Sequence, residues 1–114
     1  MSAITTHVLD TSRGRPAAGM PVELAIRDES GAWRPIGRGA TDADGRLRTL
    51  IPAGEVLVAG VYRLVFDVET YFSAADVRGF YPRVMVEFTV AEGEPHCHVP
   101  LLLSPFGYST YRGT

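Results

Sequence analysis

The chain has 114 residues, 46% hydrophobic and 21% charged, with a net charge of -2 from 11 basic and 13 acidic side chains. That length suits one domain over residues 1–114, and the composition excludes a disordered chain. Near-balanced charge without an arginine cluster argues against nucleic acid or an anionic membrane as a partner.

The opening Met1–Asp10 has neither a basic stretch nor an apolar stretch of the kind that directs export. No apolar run in the chain is long enough to span a bilayer, so the expectation is a soluble, cytoplasmic protein. Thr5–Asp10 reads as the first strand, and Arg13–Pro21 as a loop. Val22, Leu24 and Ile26 alternate as a strand does, and Glu29–Gly31 marks a tight turn. Trp33–Thr41 reads as the next strand. Asp42-Ala-Asp-Gly-Arg46 is a turn in which Gly45 supplies a positive φ, so Arg46 opens a short strand.

Val61–Glu69 alternates, with Tyr62, Leu64, Phe66 and Val68 on one face. A short helix is predicted over Ser73–Arg78, capped by Ser73 and ended by Tyr81-Pro82. Val84, Val86, Phe88 and Val90 form the core face of a further strand. His96–Ser104 follows a Gly93-Glu94-Pro95 turn, and Tyr108–Arg112 is the last strand. About eight short strands and one short helix predict an all-β, two-sheet sandwich.

The His96–Ser104 strand is apolar on both sides. Cys97, Val99, Leu101 and Leu103 share one face; Pro100 and Leu102 share the other with His96 and His98. A strand apolar on both faces is buried on both, which implies a second subunit over the histidine face. Cys97 falls on the core side, as a buried apolar residue. It is the single cysteine, so no internal disulfide is available.

His7, His96 and His98 are the only histidines. Histidines titrate near neutrality and can share acid and base work. His-x-His on a strand also suits a metal, but no third ligand is evident, which disfavours one. Arg46 is a solvated rim residue or an anion-recognising fork. Ser104, Ser109 and Thr110 lack a nucleophile elbow and read as turn and strand hydroxyls. These residues alone leave three functions open: an enzyme, a small-ligand carrier, and a structural or metal-binding domain.

Thr6-His-Val-Leu-Asp-Thr11, Thr41-Asp-Ala-Asp-Gly-Arg46, His96-x-His98-Val-Pro-Leu-Leu-Leu-Ser-Pro105 and the closing Tyr111-Arg112-Gly113-Thr114 resemble the 5-hydroxyisourate hydrolase family of transthyretin-related proteins. Thr114 stands where the family has serine. The resemblance runs from residue 4 to the end and implies a transthyretin-like sandwich assembled as a homotetramer, a dimer of dimers with sites in the channel between dimers. It implies His7, Arg46 and His98 as catalytic residues, and Tyr111, Arg112, Gly113 and Thr114 as substrate-binding ones; His96 is a weaker match. It also implies a cofactor-free hydrolase of urate breakdown. The hormone-carrying transthyretins, similar in scaffold, have lysine, glutamate and threonine at the positions matching His7, Arg46 and His98.

Overall fold

The computed structural model describes residues 3–114. β1 (Ile4–Asp10) is followed by β2 (Arg15–Pro16), β3 (Pro21–Arg27), β4 (Trp33–Ala40), β5 (Arg46–Leu47) and β6 (Gly60–Phe66). A helix, α1 (Val68–Ala74), precedes β7 (Val84–Val90), β8 (Cys97–Ser104) and β9 (Gly107–Thr110). Two sheets pack face to face. One runs β4-β3-β6-β7, and the other β2-β1-β8-β9 with β5 also paired to β1. β2 and β5 share the outer edge of β1, β2 opposite Leu9–Asp10 and β5 opposite Thr6–His7.

The core follows the alternation read from the sequence. Ile4 and Val8 of β1, Leu24 of β3, Leu64 and Phe66 of β6, Val84 of β7, and Leu101 and Leu103 of β8 are at most 1% exposed. Burying each such side chain stabilises the fold by roughly 1.5–3 kcal/mol. Phe88 is only partly buried and stacks on Tyr62, with ring centroids 5.9 Å apart.

Three local expectations are corrected. The segment read as a loop over Arg13–Pro21 contains β2, which pairs antiparallel with the end of β1. The helix begins at Val68, not Ser73, so the alternating run stops at Phe66. Asp67 is the cap: its carboxylate accepts hydrogen bonds from the Thr70 N–H and the Thr70 hydroxyl at 3.2 and 2.8 Å. Val68, Tyr71 and Phe72, spaced as one helical face, are buried. Ser73 and Ala74 are the last helical residues, and Asp76 at φ 56° has already left the helix. The final strand begins at Gly107 and ends at Thr110, two residues short of Arg112.

Pro100 explains that early end. The β8–β9 register runs Ser104↔Gly107 to Leu101↔Thr110, and an isolated bridge, His98↔Gly113, continues it. The gap falls opposite Pro100, which has no N–H to give to a ladder. Pro100 is nevertheless buried, close to where a Cβ on Gly113 would stand, so the chain's own end helps cover it.

The core face of β1 also carries two buried polar side chains, both satisfied. Thr6 donates to the Val99 carbonyl at 2.6 Å. Asp10, 1% exposed, accepts from the Tyr71 and Ser12 hydroxyls, each at 2.7 Å, and from the Arg13 N–H at 3.2 Å. Burial pushes its pKa up, but these hydrogen bonds outweigh burial and hold the carboxyl below its ordinary 3.8. Tyr71→Phe is expected to cost about 1.5–3 kcal/mol at neutral pH, the range for a bond to a charged group. A carboxylate with a depressed folded pKa stabilises above its unfolded pKa and loses that stabilisation as pH falls through the folded value. Urea melts of the two proteins should therefore converge in acid below pH 3.8.

Candidate active site

The 42–46 turn carries Arg46 to the outer face of β1. Asp42 closes the turn by accepting the Arg46 N–H at 3.0 Å and the Asp44 N–H at 2.9 Å. The first of these bonds is the main cause that lowers the pKa of its carboxyl. Gly45 sits at φ +76°, and a Cβ there would lie 2.4 Å from the Val8 carbonyl oxygen. Its own carbonyl accepts the Val8 N–H at 2.8 Å, docking the turn onto β1. Arg46 therefore pairs directly with His7.

On the other side of β1, the parallel register places Thr5 opposite His98 and His7 opposite Pro100. Alternation along each strand then sets Thr5, His7, Arg46 and His98 on one outer face of the sheet. His7 bonds the Asp44 carbonyl through Nε2 at 2.9 Å. A carbonyl only accepts, so His7 carries its proton on Nε2 and leaves Nδ1 as its free nitrogen in the neutral state.

An open depression of about 630 Å³ lies on this face, lined by Thr5, Arg46, Arg48, His96, His98 and Thr114, among others. The rings of His96 and His98 stack nearly parallel, with centroids 6.5 Å apart. Each bonds the same Thr5 hydroxyl, His98 through Nδ1 at 2.8 Å and His96 through Nε2 at 3.1 Å. The His-x-His spacing thus converges on a hydroxyl rather than on a common ion position. Burial, then the positive charges of Arg46, His7, His96 and Arg48, lowers the pKa of His98 below the ordinary 6.5. The ring is neutral at physiological pH and able to accept a proton.

The end of the chain divides. Thr114 lines the depression, and the Gly113 N–H bonds the His98 carbonyl at 2.8 Å. A Cβ on Gly113 would stand 2.6 Å from Cδ2 of His98, so no other residue fits without moving that ring. Tyr111 and Arg112 stand apart, along a groove beside β7. Tyr111 is exposed, and Arg112 pairs with Glu94 at 2.7 Å. Cys97 is buried on the opposite side of β8, and burial pushes its thiol pKa up.

Sequence reasoning missed Thr5 and Arg48. The signal was present: each lies two residues from a chosen one, His7 and Arg46, and on a strand that spacing gives a shared face.

A sequence model of the HIUase/transthyretin family matches residues 4–113. The 5-hydroxyisourate hydrolase of Caulobacter vibrioides is 45% identical over 119 aligned residues, covering 100% of both chains. Among solved structures, the 5-hydroxyisourate hydrolase of Klebsiella pneumoniae is 36% identical, with a TM-score of 0.84 and 100% of both chains covered. Sea bream transthyretin in complex with thyroxine is 33% identical, with a TM-score of 0.90 over 98% of this chain and 95% of that one.

The neighbouring cations make a direct prediction. His98 should titrate below 6.5 by NMR, and Arg46→Gln should move that value upward without restoring it fully, because burial remains the larger cause. A His98 that titrates above 6.5 in the wild type contradicts the arrangement.

Proposed function

The chain belongs to the HIUase/transthyretin family, and from that premise we propose that it hydrolyses 5-hydroxyisourate in urate catabolism, acting as a cytoplasmic homotetramer. The observation that carries this reading is the common sheet face holding His7, Arg46 and a neutral His98, with Arg46 and His98 lining one depression. Water adds to a ring carbonyl and the ring C–N bond breaks, as in a cyclic amide hydrolase, giving 2-oxo-4-hydroxy-4-carboxy-5-ureidoimidazoline. No metal or cofactor is required. His98 and His7 activate the water and return its proton to the leaving nitrogen; Arg46 holds the electron-rich ring or stabilises charge growing on the carbonyl oxygen. Thr114 belongs to the pocket wall, and Gly113 gives the His98 ring its room.

A carrier reading draws on the higher TM-score to the thyroxine-bound transthyretin. Scaffold likeness does not decide between the two, because function resides in the site residues. Two histidines and an arginine on one face support hydrolysis. A tetramer is supported by the apolar side chains that one chain leaves in water beside β9: Phe106, Tyr108 and Tyr111. A second chain could also bring Tyr111 and Arg112 to a neighbour's depression.

The test is to generate 5-hydroxyisourate with urate oxidase and follow its ultraviolet decay with and without the protein. Accelerated, stereoselective decay is expected; decay at the buffer rate by folded protein would remove the reading. His98→Asn should lower turnover by about two to four orders of magnitude, the range for a lost acid or base. Gly113→Ala should lower it by about tenfold, equivalent to about 1.4 kcal/mol, by displacing the His98 ring. Full activity in Gly113→Ala would show that the close approach is unimportant for turnover.

A further inference from the structure

The hydroxyl of Thr5 lies between two imidazoles and has one proton to give. Thr5 is 4% exposed, and its Oγ1 meets His98 Nδ1 at 2.8 Å and His96 Nε2 at 3.1 Å. With one proton and two lone pairs, the hydroxyl can accept an N–H from one neutral ring while giving its own proton to the other. The protonation of His96 and His98 is therefore linked through one oxygen. Neighbouring Thr6 bonds a backbone carbonyl of β8 instead, so a β1 threonine can be satisfied without touching a histidine.

We infer that Thr5 is a positioning residue for the proposed hydrolysis: its hydroxyl holds the proton of neutral His98 on Nδ1 and leaves Nε2 as the lone pair that meets water. The inference rests on the hydrolase reading for its role in turnover. In the resting arrangement His98 Nδ1–H donates to Thr5, and Thr5 O–H donates to His96 Nε2. Among the described residues no protein group hydrogen-bonds His98 Nε2. When Nε2 takes a proton from water, the Nδ1 proton passes to Thr5 as the Thr5 proton passes to His96 Nε2. His98 is again neutral, now with an N–H on Nε2 to give to the leaving nitrogen, and His96 carries the positive charge. Donation from Nε2 runs the two transfers backward and restores the starting state, so no proton is gained or lost. The other titratable or charged groups facing His98 are His7 on β1, Arg46 on β5 and Arg48 just beyond it; none of these bonds its Nδ1.

The experiment combines nitrogen-15 NMR of the histidines with kinetics of Thr5→Val and Thr5→Ser in the full chain. Wild-type His98 should show the Nδ1–H tautomer at neutral pH. Thr5→Val should lose that preference, lower kcat by about tenfold to a hundredfold, change KM by less than about threefold, and shift the acid limb of the pH profile. Thr5→Ser, which keeps the hydroxyl, should recover most of kcat and the wild-type tautomer. An Nε2–H tautomer in wild-type His98, or undiminished kcat in Thr5→Val, would overturn the inference. The wild-type spectrum decides the tautomer even if Thr5→Val fails to fold. The expected tautomers in a protein that does not speed 5-hydroxyisourate decay would uphold the hydroxyl bridge and sink the hydrolase reading.

Discussion

The parallel pairing of β1 with β8 is the contact on which the candidate site depends. It runs over seven residue pairs, from Ile4↔Cys97 to Asp10↔Leu103. It joins residues more than ninety positions apart, as the Thr5–His98 bond does. Parallel neighbours need a long crossover, and here most of the chain lies within it. A shift of one residue would turn His98 into the core and bring Val99 to the outer face. The core face of β1, sealed by Ile4, Thr6 and Val8 at 0% exposure, resists that slip. Site geometry and core packing are thus two faces of one register.

The electrostatics of the outer face follow from that register. A chain with a net charge of -2 gathers Arg46, Arg48, His96 and His98 around one depression, with His7 near enough to act on His98. Among the described residues no acidic side chain lines the depression. The arginines keep a positive field over the site while disfavouring a charge on His98. A neutral imidazole beside fixed cations is suited to accept a proton and to leave developing negative charge to the guanidinium groups. The Asp42 carboxylate accepts two backbone N–H groups of its own turn and also interacts with the charges of Arg46 and Arg48.

The same sandwich serves a hydrolase in one solved relative and a thyroxine complex in another. Its two sheets do not dictate chemistry. They present one solvent-facing side of a sheet whose centre is unusually apolar for that position, with Pro100 buried and Leu102 half-buried. What the sheet presents there, histidines or other side chains, decides whether a bound molecule is held or broken.

Period-two alternation of apolar residues determined the two-sheet class and most of the core, because a half-buried strand leaves that signature in any single stretch of chain. The sharp turn before Arg46 was legible too, since Gly45 can take a φ that other residues avoid. The helix was not legible in place. Val68 satisfied both the strand alternation and the helical face, and the Asp67 cap, a local hydrogen bond, decided between them. Pairing between distant strands was beyond any local pattern. That His98 faces Thr5, that Arg46 faces His7 and that Gly113 abuts the His98 ring were decided by tertiary structure alone. Each depends on strand order and register, which arise when the whole core packs and not from the propensities of the segments that meet.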